Sequence, residues 1–222
     1  MDAVIFDCDG VLVDSEVIGL RVILGCLAEI GLTYDRQDYV ERFLGSTWKD
    51  FYSRLDVDHR ARLGAPLPAD FPARVSARFA ADADNESPLI AGAHDLIAAL
   101  GVPKAVASGS SPAELDRKLR RTGLFDAFAP HIYSAQTVPQ GKPSPDIYLH
   151  AAAQLGLDPT ACVAVEDSVN GVRSAVAAGM TVVGFTGGGH CSPSLAAKLM
   201  DAGAAEVACD MPALARILRG MS

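Results

Sequence analysis

The chain has 222 residues, half of them hydrophobic, enough for one large domain or a domain carrying a sizeable insertion. A formal net charge of −8 and the lack of any basic run argue against nucleic acid or an anionic membrane surface as a main partner. The five cysteines (Cys8, Cys26, Cys162, Cys191 and Cys209) are scattered and form no Cys-Xaa-Xaa-Cys pair, which disfavours a zinc site or disulfide framework.

A reducing cytoplasm fits this cysteine usage, and neither a signal peptide nor a bilayer-length apolar stretch is read in the sequence. The expectation is a cytoplasmic protein, monomeric or a small homo-oligomer, with no membrane or nucleic-acid partner.

The first element is a short apolar run, Ala3 to Phe6, ending in Asp7-Cys8-Asp9-Gly10. Residues two apart on an extended chain point the same way, so Asp7 and Asp9 leave one strand toward one small volume. Two like charges there repel unless a cation or a shared proton intervenes. A calcium loop of the EF-hand type is rejected, because Val11 and Leu12 fill its middle and Ile18 stands where its glutamate belongs. Val11-Leu12-Val13 reads as a brief extended piece.

Helical spacing begins near Asp14-Ser15, with apolar positions at Leu20, Ile23, Leu24, Leu27 and Ile30 and a stop at Gly31. Further helices are predicted over about 35–44, 47–55 and 71–81, that over 47–55 with Thr47 and Asp50 as an approximate capping pair. No convincing strand falls between about 15 and 85.

Beyond this stretch the pattern alternates. Helices are predicted over 90–100, from Ser111 to near Gly123, from Ser144 to Gly156 and over 169–178. Strands are predicted at 104–108, 131–133, 161–165, 181–185 and 206–208. Ser111-Pro112-Ala113-Glu114 is a strong helix start: N-cap serine, proline at N1 and glutamate at N3.

Apolar strands alternating with helices imply an α/β, Rossmann-like core, its parallel sheet covered by helices on both faces. The all-helical piece reads as an insertion. Residues 1–14 and 86–222 then form the core domain and 15–85 a helical cap.

Ligands of open parallel sheets bind beyond the carboxyl ends of the strands. There stand Asp7 and Asp9, Ser108, and Glu166 with Asp167. Four carboxylates in one cleft imply a hard cation bound through oxygen, most simply Mg²⁺. Ser108-Gly109-Ser110, between a strand and a capped helix, offers backbone N–H groups and a hydroxyl to an anion. Lys142 is not a Walker lysine, since Pro143 follows it, but a stiff Lys142-Pro143 loop can aim its ammonium at the cleft. These parts together suit phosphoryl transfer, with one carboxylate attacking phosphorus and another handling the proton.

The ordered set Asp7-Cys8-Asp9-Gly10, Ser108, Lys142 and Glu166-Asp167 resembles the four motifs of the haloacid dehalogenase superfamily. The fuller strings Phe6–Glu16, Gly141–Asp146 and Val165–Gly171 are similar to its phosphatase and β-phosphoglucomutase-like branch with a helical cap after the first strand. The resemblance implies Asp7 as the nucleophile forming an aspartyl phosphate and Asp9 as acid and base. It further implies Mg²⁺ on Asp7, the backbone carbonyl of Asp9, and Asp167, with Glu166 helping directly or through water. Ser108, Gly109 and Lys142 would hold the phosphoryl group.

Dehalogenases of the superfamily lack the second aspartate of the first motif, so Asp9 disfavours carbon–halogen cleavage. The β-phosphoglucomutases carry a histidine near the position of Gly19 and an arginine near Trp48. Neither is present here, which favours hydrolysis over a hexose-phosphate mutase. The intact residue set counts against a non-catalytic phosphate-binding protein.

Specificity for a small phosphorylated metabolite, a sugar or sugar-acid phosphate, is expected from the cap closing over the cleft. Its hinges would lie at Asp14-Ser15 and Glu86-Ser87-Pro88, and Arg42, Gly45, Trp48 and Lys49 are its candidate contacts. His190, after Gly187-Gly188-Gly189, is read as part of an exposed loop.

Overall fold

A computed structural model describes residues 1–43, 48–85, 88–189 and 191–221, and of residues 16, 48, 80 and 83–85 the backbone alone. The chain divides into two compact units, Met1–Asp14 with Ser87–Ser222, and Ser15–Glu86. The first unit opens with β1 (Ala3–Phe6). The second holds α1 (Ser15–Glu29), α2 (Arg36–Phe43), α3 (Trp48–Leu63) and α4 (Phe71–Asn85).

The first unit resumes with α5 (Ala93–Ala99), β2 (Lys104–Ser108), α6 (Pro112–Arg121), α7 (Phe125–Phe128) and β3 (Ile132–Ser134). It continues through α8 (Asp146–Leu155), β4 (Cys162–Glu166), α9 (Val169–Ala177) and β5 (Thr181–Phe185) to α10 (Leu195–Asp201), β6 (Glu206–Ala208) and α11 (Met211–Gly220).

The six strands form one parallel sheet in the order β3-β2-β1-β4-β5-β6, the α/β architecture expected from the alternating pattern. Side chains alternate between its two faces. Val4, Phe6, Val106, Val163 and Val165 pack with Leu96, Leu119, Phe128 and Leu214 from α5, α6, α7 and α11. Ile5, Ala105, Ala107 and Ala164 pack with Ile147, Val172 and Leu199 from α8, α9 and α10. Both faces are thus buried, which is why β1 and β4 read as unbroken apolar runs. The helical unit has its own core, with Ile23, Leu27, Phe43, Leu55 and Phe71 among its members.

Some local expectations differ from the fold. Of Val11-Leu12-Val13, read as extended, Val11 and Leu12 lie in a turn and Val13 alone makes isolated β-bridges, to Asp9 and Leu89. Gly10 turns at φ 79°, and the Leu12 and Val13 N–H groups both donate to the Cys8 carbonyl at 2.9 Å. The turn drives all three apolar side chains into the core below the sheet end. Helix α3 runs to Leu63 rather than ending at Leu55. No glycine or proline interrupts it before Gly64 (φ 71°), and an Asp56–Arg60 pair at 2.8 Å supports the added turns. Helix α5 starts at Ala93 instead of Ile90, because Gly92 precedes it in the left-handed region. Helices α10 and α11 were not anticipated; α11 carries an Asp210 N-cap and buries Leu214 and Leu218 one turn apart. Thr47, Glu86 and Ser87 lie outside the described residues.

Candidate active site

The parallel register brings the strand ends to one edge. Phe6 stands level with Val106 on one side and Val165 on the other. Asp7 follows immediately, its N–H donating to the Val165 carbonyl at 2.9 Å. Ser108 ends β2 and Glu166 ends β4. Strand order reverses at β1, which has β2 on one flank and β4 on the other, so the crevice of an open α/β sheet falls here.

Lys142 reaches this edge from the loop between β3 and α8. Its ammonium donates to Asp7 Oδ1 at 2.7 Å, Glu166 Oε1 at 2.5 Å and the Ala107 carbonyl at 3.0 Å. Burial works against its charge, but the two carboxylates outweigh that and hold its proton well above the ordinary lysine range. Burial pushes the Asp7 carboxyl up; the Lys142 ammonium pulls it down, while Glu166, Asp167 and Asp9 add to the rise. Anionic groups therefore outnumber the cation at this point, and further positive charge is favoured there. Cys8, between the two aspartates, is buried and pushed up by burial and by both carboxylates, so its thiol stays neutral and is no nucleophile.

Glu166 is fully buried and held on both oxygens. Oε1 accepts from Lys142 and from the Tyr148 hydroxyl at 2.8 Å, and Oε2 accepts from the Ser168 N–H at 3.2 Å and hydroxyl at 3.1 Å. The first turn of α9 has room for this carboxylate only because residue 171 is glycine: a Cβ there would lie 1.9 Å from Glu166 Cδ. Ser168 also caps α9 by accepting from the Gly171 N–H at 3.0 Å.

Asp7, Glu166 and Asp167, all buried, each offer an oxygen within 4.8 Å of the others, close enough to share one metal ion. An all-oxygen, anionic donor set suits a hard divalent cation. The carboxylate of Asp9, expected as a fourth acid, is not one of this trio. Its Oδ1 accepts from Lys118 at 2.6 Å and its Oδ2 from the Ser110 hydroxyl at 2.7 Å. Ser108 Oγ accepts from the Ser110 N–H at 3.1 Å, and a side chain at Gly109 would meet nothing within 4 Å, so the loop is open to an incoming group.

Of the residues read from sequence, Asp7, Lys142 and Glu166 are thus joined directly, Asp167 lies with them, and Ser108 ends the neighbouring strand. In the helical unit the Arg42 guanidinium donates to Asp58 at 2.7 Å and stacks over Tyr34 and Phe43. Lys49 is exposed in the first turn of α3. Gly45, His190 and the side chain of Trp48 lie outside the described residues.

Sequence reasoning missed Lys118 and Tyr148. Lys118 stands seven residues after the N-cap Ser111, hence on the same helix face, but nothing local names its carboxylate. Tyr148 looks like any core aromatic in an apolar helix.

A family model described as haloacid dehalogenase-like hydrolase matches residues 1–179. The 6-phosphogluconate phosphatase of Escherichia coli is 31% identical over 90% of this chain and 89% of its own length. Hexitol phosphatase B of the same species is 36% identical over 80% of each chain. The crystal structure of a HAD family hydrolase from Deinococcus radiodurans with bound phosphate and sodium superposes with a TM-score of 0.87 at 38% identity, covering 100% of this chain and 96% of that one. Motif order, strand-end geometry and similarity over most of its length lead to one family: this chain belongs to the haloacid dehalogenase-like hydrolases.

Proposed function

We propose that this hydrolase is a Mg²⁺-dependent phosphatase that cleaves a small phosphorylated metabolite, a sugar or sugar-acid phosphate, through an aspartyl phosphate on Asp7. The observation that carries the reading is the Lys142 ammonium lodged between Asp7 and Glu166 beside the buried acidic trio. The names of the relatives, 6-phosphogluconate phosphatase and hexitol phosphatase B, support the substrate class.

Asp7 attacks phosphorus in line, and the bond from phosphorus to the alcohol oxygen breaks as Asp9 gives that oxygen its proton. Asp9, now a carboxylate, takes a proton from water, whose oxygen attacks phosphorus. The acyl-phosphate bond breaks, freeing inorganic phosphate and restoring Asp7. Lys142, the Ser108 hydroxyl and the Gly109 N–H hold the phosphoryl oxygens throughout. The Asp7 and Asp167 carboxylates and the Asp9 carbonyl would hold Mg²⁺, which when bound neutralises phosphoryl charge. Glu166, engaged on both oxygens, chiefly positions Lys142 and serves the ion second. Residues 15–85 act as the cap that selects the substrate, with the exposed Lys49 as a candidate contact.

Phosphate release from a panel containing 6-phosphogluconate, hexitol phosphates and hexose phosphates, with Mg²⁺ and then with chelator, tests this. Turnover that chelator abolishes and Mg²⁺ restores is expected. Conversion of a hexose 1-phosphate to the 6-phosphate without phosphate release would replace the reading with a mutase.

A further inference from the structure

Each aspartate of the first motif has its own lysine, and only one of the two lysines belongs to the motifs that identify the family. Asp7 is paired with Lys142, while Asp9 is paired with Lys118 from α6. Lys118 Nζ, Ser110 Oγ and the two Asp9 oxygens close a small ring: 2.6 Å from Nζ to Oδ1, 2.7 Å from Oγ to Oδ2 and 3.0 Å from Nζ to Oγ. Both charged side chains are mostly covered, at 17% and 24% exposure, so water screens the pair only in part.

We infer that Lys118 is a positioning residue for Asp9, holding its carboxyl group, which must take up a proton before it can serve the leaving oxygen, on the phosphate-loop side of the site and away from Asp7. The inference rests on the phosphatase reading above, in which Asp9 serves the leaving oxygen. Its structural basis is α6. The capping box between Ser111 and Glu114 fixes where that helix begins, and Lys118 lies seven residues beyond the cap, on the face that carries Ser111. A helix anchored at its first turn presents Lys118 at a set depth beside Ser110. Without the ammonium, Asp9 keeps the single Ser110 hydroxyl of this ring, and its carboxylate is drawn toward any cation held by the neighbouring trio.

The effect to measure is the dependence of kcat/KM on leaving-group basicity, which reports alcohol departure and not the later hydrolysis of the phosphoenzyme. A misplaced general acid matters most for a poor leaving group and not at all for one that leaves without a proton. Full-length wild type, Lys118→Met and Lys118→Arg would be assayed with 2,4-dinitrophenyl phosphate, p-nitrophenyl phosphate, phenyl phosphate and 6-phosphogluconate.

The expected result for Lys118→Met is a loss of roughly tenfold to a hundredfold on the more basic leaving groups and little change on dinitrophenyl phosphate. Lys118→Arg should recover most of that loss. Equal loss on every ester, or no loss on any, overturns the inference while leaving the phosphatase reading in place. Should Lys118→Met fail to fold, Lys118→Gln and Ser110→Ala carry the same test, and an equal loss on every ester, or no loss on any, for both would refute the positioning role. A wild-type enzyme that hydrolyses none of the four esters with Mg²⁺ brings down the phosphatase reading itself.

Discussion

In the sheet unit, Lys142 and Glu166 meet at 2.5 Å with the carboxylate wholly buried; in the helical unit, Arg42 and Asp58 meet at 2.7 Å with the guanidinium 39% exposed. The first pair sits where strand ends converge and is tied to Asp7, Tyr148 and Ser168. The second sits among Tyr34, Phe43 and Arg62 and joins α2 to α3. Buried charge is costly unless every partner is in place, and at this sheet end Glu166 has a partner on each oxygen. Partly exposed charge costs and contributes little, and in the helical unit it glues surface helices together.

The largest effect expected on that contrast comes from Asp7→Asn. Loss of the attacking carboxylate should lower kcat by at least about a thousandfold. Burial and neighbouring acids oppose the Asp7 charge, raising its folded pKa. Its ionisation therefore works against folding above the ordinary carboxylate range. The metal-free variant should melt at or above the wild-type temperature. A clear drop in thermal midpoint would show that the charge stabilises the sheet end and would undo this half of the contrast.

Gly171→Ala comes next. A methyl group 1.9 Å from Glu166 Cδ must displace the carboxylate that holds Lys142. Stability should fall by about 1–3 kcal/mol and kcat/KM by about a hundredfold. Denaturant unfolding and steady-state kinetics measure the two, and an active, unperturbed variant would mean Glu166 is not needed where it stands.

In the helical unit the effects should be smaller and separable. Arg42→Ala removes a half-screened ion pair and two ring contacts, for a stability loss of about 1 kcal/mol and an unchanged KM. Lys49→Ala should do the reverse, raising KM for the best substrate several-fold with stability unchanged. An Arg42→Ala enzyme with a large KM defect would return Arg42 to substrate binding.

The smallest effect concerns α6. The Ser111 hydroxyl and N–H lower the Glu114 pKa, so the capping contribution is present above the ordinary glutamate pKa and fades as pH falls through the folded value. Glu114→Ala should cost about 0.5–1 kcal/mol near neutral pH and almost nothing once the pH lies well below the folded pKa of Glu114. An equal cost at both pH values would mean that packing, not the carboxylate, anchors this helix.

Local chemistry determined a good deal of this protein without any fold in hand. Strands β2, β5 and β6 lie where apolar runs and their flanking glycines and polar residues place them, and the α6 capping box is read directly from Ser111-Pro112-Ala113-Glu114. Lys142 was legible as an aimed side chain because the proline after it stiffens its loop. The partnership of Lys118 with Asp9, the Tyr148 hydroxyl under Glu166 and the internal use of Arg42 were not legible. Periodicity and capping act within a few residues, so a sequence carries them openly. An ion pair joining residues 109 positions apart exists only after β1, β2 and α6 have packed, and its members look like ordinary surface or core side chains until then.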